Sequence, residues 1–285
     1  MAHVSYFREE YVGRRKWITE SHFAEIMSLT QFIPGPGSSQ LGAAIGYERA
    51  GLLGGIAAWI GFTLPSALIL ILVALGIGDL SGDHAQGALR GLKLVALAVV
   101  TGALVGMRKS LAPDLSRIIL AFLVLVTLWV FSYQWMTVLM ITISGAIGIF
   151  TLSAGEKIEE QKTGERGLLG WGSLVVFFLL LLVSMNDNGP LAGIYRAGSL
   201  VFGGGHVVLP LLQESMVDGG YMSNEVFLGG SGATQAVPGP VFTFAAFLGV
   251  KAEIFGNPWL GAGTSLIAIF LPGMLLLGGT MRIWG

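Results

Sequence analysis

The stretch TQFIPGPGSSQ at 30–40 has a counterpart, TQAVPGPVFTF, at 234–244. Each interrupts an apolar segment, 23–47 in one case and 227–250 in the other. Proline removes a backbone donor and clashes with the preceding helical turn, and glycine adds conformational freedom, so neither segment can run through as one helix. In a bilayer a broken helix persists only where protein or a wet cavity satisfies the freed backbone groups. Both segments are therefore expected to form paired half-helices or re-entrant hairpins.

Working outward, the two breaks belong to longer matching tracts. At an offset of 204, Trp17-Ile18-Thr19 meets Tyr221-Met222-Ser223, Phe23 meets Phe227, and Pro34-Gly35-Pro36 meets Pro238-Gly239-Pro240. After three inserted residues, at an offset of 207, Leu53-Gly54 meets Leu260-Gly261 and Leu64-Pro65 meets Leu271-Pro272. The chain reads as an internal duplication. A first repeat spans 1–152, a polar linker 153–167 (SAGEKIEEQKTGERG), and a second repeat 168–285. By the same register the first repeat lacks a leading helix and the second lacks closing helices, so the sequence is expected to be shortened at both ends.

Composition agrees with a membrane setting. Of 285 residues, 53% are hydrophobic and 12% charged, and the mean hydropathy is +0.74. Soluble domains carry about 25% charged residues. The 43 glycines suit closely packed transmembrane helices. A net charge of −1 with no basic stripe argues against nucleic-acid binding, and the apolar content argues against disorder. With no cysteine, disulfides, thiolate metal sites and thiol redox chemistry are excluded. Further apolar stretches lie at 51–78, 88–107, 116–132, 134–152, 168–185, 191–212 and 258–281. The N-terminus, MAHVSYFREEYVGRRKW, has no apolar signal core. The expected fold is an all-α polytopic membrane protein.

Charge sets the orientation. The loop 8–20 carries Arg8, Arg14, Arg15 and Lys16, whereas its counterpart 213–225 carries Glu214, Asp218 and Glu225 and no lysine or arginine. The positive-inside rule puts the first loop in the cytoplasm and the second outside, which makes the repeats inverted. Inverted repeats with broken helices point to a secondary transporter with its site near the midplane.

The tracts QFIPGPGSSQLGAAIGYERAGLLGG, SLVFGGGHVVLPLLQ and GATQAVPGPVFTFAAFLG resemble the chromate ion transporter family over essentially the whole chain. The resemblance implies a bacterial inner-membrane protein that exports chromate, with sulfate as a look-alike ligand and the lipid bilayer as its environment.

Several residues are candidates for contact with a tetrahedral oxyanion. A half-helix starting after Pro36 or Pro240 directs unpaired N–H groups and a positive dipole end toward the break. Around the first break lie Gln31, Pro34, Gly35, Pro36, Gly37, Ser38, Ser39 and Gln40. Around the second lie Thr234, Gln235, Pro238, Gly239, Pro240 and Thr243. Gly203, Gly204 and Gly205 would let a ligand approach the backbone closely. His206 is an ionisable group inside an apolar run, a functional candidate by default. His3 and Arg196 are accessory candidates, although Arg196 could equally snorkel to the interface. The hydroxyls could instead repair backbone carbonyls, and the basic cluster at 8–16 could serve topology alone.

Gly42/Gly46, Gly51/Gly55 and Gly102/Gly106 read as helix-packing pairs. No phosphate-binding loop, metal-ligand spacing or nucleophile elbow is present, so neither a cofactor nor enzymatic activity is expected. Alternatives are an anion channel, an uptake transporter for another tetrahedral oxyanion, and, disfavoured, an oxyanion reductase. The plentiful small residues would also suit a homodimer. Export of a dianion needs no coupled ion in principle. A membrane potential of about 100 mV supplies about 4.6 kcal/mol for two charges.

Overall fold

The computed structural model describes residues 2–76, 115–130, 139, 140, 143, 167–202, 205 and 207–284. The stretch 88–107, most of 134–152 and nearly all of the linker 153–167 lie outside the described residues, as do Gly203, Gly204 and His206. The chain divides into two compact units, Met1–Ala96 with Thr163–Gly285, and Leu97–Lys162. Among the described residues every regular element is helical.

In the first unit the helices are α1 (Ala2–Arg8), α2 (Glu20–Phe32) and α3 (Gly37–Gly76), and in the second the described helix is α4 (Leu115–Val130). The first unit resumes with α5 (Gly167–Met185), α6 (Pro190–Leu200), α7 (Val208–Gln213), α8 (Asn224–Ala236), α9 (Phe244–Lys251) and α10 (Pro258–Trp284). Gly37–Gly76 and Pro258–Arg282 are long and apolar enough to cross a bilayer, and Gly170–Met185 and Val241–Lys251 are shorter apolar helices. The second limb of α3 exposes Leu53, Ile60, Leu64, Leu68 and Leu72, a surface suited to lipid.

The matched tracts fold alike. Thr19 caps α2 by accepting from the His22 N–H at 3.3 Å, and Ser223 caps α8 by accepting from the Val226 N–H at 3.3 Å. Each cap satisfies one of the orphan donors of a first turn. Both helices then end in extended backbone, at Ile33 (φ −86°, ψ 141°) and Val237 (φ −89°, ψ 128°). The central glycines take positive φ, 125° at Gly35 and 150° at Gly239.

After each break the chain makes a close helical crossing. A Cβ on Gly54 would run into the Gly46 carbonyl oxygen, and a Cβ on Gly261 into that of Gly249. Small residues let the two backbones touch. Gly51 has a different role from the packing expected of it. It stands in open space at φ 62°, with Ala50 also off the helical region, and so turns the two limbs of α3 against each other. Gly102 and Gly106 lie outside the described residues. An aromatic core of Phe227, Phe242, Phe244, Phe247 and Phe270, all from the second half, surrounds the second break, every ring nearly or fully buried.

Candidate functional site

At the first break, Pro36 cannot donate a backbone hydrogen bond, and Pro34 lies in the non-helical backbone between α2 and α3. The side chain of Gln40, fully buried, makes up for this. Its Nε2 donates to the Pro34 carbonyl at 3.1 Å and to the Gly273 carbonyl on α10 at 3.0 Å. The Gly35 N–H donates to the Val201 carbonyl at 2.9 Å. A Cβ on Gly35 would lie 3.0 Å from the Gly273 Cα, so the break rests directly on α10.

The second break rests on α3 in the corresponding way. A Cβ on Gly239 would lie 2.5 Å from Ser66 Oγ. Ser66 and Gly273 each follow the matched prolines Pro65 and Pro272 by one residue. Each break therefore packs against the residue after the proline of the other copy's long helix. Thr243 closes the turn, its N–H and its Oγ1 both reaching the Pro240 carbonyl, at 3.0 and 2.7 Å.

The polar side chains divide into two groups. Thr30 donates to the Met27 carbonyl and Thr234 to the Gly230 carbonyl, each at 2.9 Å, so both repair their own helices. Ser39 Oγ, Gln40 Oε1 and Gln235 Nε2 are buried with no hydrogen-bond partner among the described residues. Gln31 is exposed, Gly37 and Ser38 are half-buried, and Pro238 is exposed beyond the second break. Two described residues at the ends of the glycine-rich segment each touch a break. Val201 bonds to Gly35 at one end, and at the other a Cβ on Gly205 would lie 2.8 Å from the Val241 side chain.

The accessory residues lie elsewhere. The Arg196 guanidinium donates to the Ser184 and Asp187 carbonyls, the latter at 2.7 Å, and so caps the end of α5. His3 is on α1. Sequence reasoning missed Ser66 and Gly273 as the seats of the breaks. The signal was present in the matched Leu64-Pro65 and Leu271-Pro272, but a local match does not say what faces it.

The chromate transporter family model matches residues 1–149 and 191–285. The chain belongs to the chromate transporter family. It is 23% identical over 297 residues to a chromate transport protein of Pseudomonas aeruginosa, an alignment covering 95% of this chain and 66% of that relative. It is 28% identical to a probable chromate transport protein of Synechococcus elongatus, covering 97% of this chain and 70% of the other. It is 25% identical to an uncharacterized transporter of Methanocaldococcus jannaschii, covering 99% and 71%. The chain thus spans about two thirds of the length of these relatives. No solved structure matches it.

This family member also carries a titratable clamp at the start of α2. The His22 ring nitrogens lie 3.0 Å from Glu25 Oε2 and 2.6 Å from Glu48 Oε1, the latter near the end of the first limb of α3. Burial pulls the imidazole pKa down, but hydrogen bonding to Glu25 and Glu48 outweighs it, and the net shift is upward. A raised pKa means the folded state holds the proton more tightly. The contribution is complete below the ordinary histidine value of about 6.5 and is lost as pH rises through the folded value. In detergent, the unfolding temperature of the wild type should fall as pH is raised from 6 to 8. The fall should be smaller in His22→Gln, and equal slopes would remove the clamp.

Proposed function

We propose that this chain is a secondary transporter that carries chromate, with sulfate as a competing ligand, outward across the bacterial inner membrane, and that the oxyanion binds at the two breaks between inverted repeats. The observation that carries the reading is the reciprocal seating of the breaks, Gly35 on Gly273 and Gly239 on Ser66. Contacts in which i meets j′ while i′ meets j are those a two-fold axis produces. The basic loop at 8–16 and the acidic loop at 213–225 favour an axis in the membrane plane. The two stretches matched by the family model, one in each half, fit a doubled architecture.

The chemistry suits a dianion. Half-helix ends beside each break direct N–H groups and partial positive charge toward it. Gln235 Nε2 is a buried donor without an acceptor among the described residues. The apolar helices would make the protein multi-pass, and the membrane potential alone would drive a dianion outward. Chromate enters as the cargo on the strength of the relatives named as chromate transport proteins.

Everted membrane vesicles containing the chain test this. Chromate should accumulate inside when the lumen is made positive, and sulfate should compete. Gln31→Ala and Gln235→Ala should each lower the initial rate about tenfold or more, the effect of losing one hydrogen bond to a charged group. A correctly inserted wild-type chain that moves no chromate overturns the proposal.

A further inference from the structure

Among the described residues, six buried side-chain polar atoms have no hydrogen-bond partner: Ser39 Oγ, Gln40 Oε1, Trp59 Nε1, Thr63 Oγ1, Gln235 Nε2 and Ser265 Oγ. Buried polar atoms are nearly always partnered, so each exception calls for a cause. Ser39, Gln40 and Gln235 belong to the breaks. Ser265 lies under Gly249 at the close helical crossing. Trp59 and Thr63 remain, one turn apart on the second limb of α3.

These two lie on the same face of α3 as Ser66, at spacings of four and three residues. Ser66 is the seat of Gly239, so the stripe runs along the second break. The Trp59 ring stands edge-on to Phe270 with centroids 5.6 Å apart, and Phe270 lies 5.9 Å from Phe242, two residues past Pro240. Thr63 is 2% exposed. Ser66 Oγ is satisfied by the Thr63 carbonyl at 3.0 Å, whereas Trp59 Nε1 and Thr63 Oγ1 are not.

The other repeat shows what packing alone requires. At the offset of 207, the stripe on α10 is Leu266, Phe270 and Gly273, without a hydrogen-bonding side chain. Its Gly273 seats the first break, while Phe270 packs against Trp59 and Phe242. The polar atoms on α3 are therefore not needed to hold a break in place. Indole N–H can only donate, a hydroxyl can donate, and Gln235 Nε2 on the facing break is a third donor. Buried donors without acceptors match an anion that brings its own acceptor oxygens.

We propose that Trp59 and Thr63 are binding residues for the transported tetrahedral oxyanion, donating to it from α3 along the second break. The proposal rests on the transport reading and sharpens it. The site is unequal, weighted toward the second break, while Gln40 locks the first break to α10. In the second repeat Phe244 takes the place of Gln40.

Thermal unfolding of the purified chain in detergent, with and without sodium chromate or sulfate, tests this. Thr63→Val keeps the shape of its side chain and Trp59→Phe keeps an aromatic ring, and each deletes the donor. Removing an orphaned buried polar atom should leave ligand-free Thr63→Val at least as stable as wild type, whereas Trp59→Phe also gives up ring packing against Phe270 and is compared by its ligand-induced shift alone. Each substitution should weaken the oxyanion-induced stabilisation, lowering apparent affinity about tenfold or more. Thr63→Ser, which keeps the hydroxyl, and Ser265→Ala, which removes an orphan away from the break, should keep the wild-type response. If Thr63→Val and Trp59→Phe bind oxyanion as the wild type does, the assignment is overturned and the transport reading stands. If neither oxyanion stabilises the wild type, both fall together.

Discussion

Gly239→Ala should abolish chromate transport, while Gly220→Ala retains most of it. Both glycines have positive φ, 150° and 78°, and both would strain an L-residue. They differ in surroundings. An added Cβ at Gly220 meets nothing within 4 Å, whereas one at Gly239 lies 2.5 Å from Ser66 Oγ and 2.6 Å from Ser66 Cβ. Backbone strain costs about 1–3 kcal/mol at such a position. Forcing an atom into a packed contact typically costs about 1–3 kcal/mol more. Against a total stability of about 5–15 kcal/mol, the sum is large enough to unseat the break. Chromate uptake by everted vesicles at matched protein levels is the readout. Adding Ser66→Gly to Gly239→Ala removes the obstructing side chain, copies the Gly273 seat of the other repeat and should recover part of the activity. Wild-type transport by Gly239→Ala would mean that the second break need not sit on α3.

The breaks themselves were legible because Pro-Gly-Pro is an instruction to the backbone. Proline denies the helix a donor and glycine takes a φ that other residues avoid, wherever the segment lies. The capping role of Thr19 and Ser223 was not read from the sequence, although both fall inside matched triplets and carry side chains that caps use; the structure supplies it. What each break rests on was not legible. Ser66 and Gly273 differ chemically, and their shared role appears only when the two long helices are placed against the opposite breaks. The two hydrogen bonds that Gln40 Nε2 donates to Pro34 and Gly273 were hidden likewise, because the accepting carbonyls are 6 and 233 residues away. Arg196 shows the reverse difficulty. An isolated cation in an apolar stretch fits a ligand contact or a helix cap equally well, and the structure places its guanidinium on the carbonyls ending α5.

The central claim is that the two copies face opposite sides of the membrane, and equivalent residues can report on this directly. Arg14 and Asp218 occupy the same position at the offset of 204, and both are exposed. Charge puts Arg14 in the cytoplasm and Asp218 outside. Because the chain has no cysteine, Arg14→Cys and Asp218→Cys each introduce a single thiol into a silent background. A membrane-impermeant maleimide added to intact cells should label Asp218→Cys fully and Arg14→Cys only after permeabilisation, and everted vesicles should reverse the pattern. Labelling of both variants from the same side would contradict inverted repeats and, with them, a shared oxyanion site between the breaks.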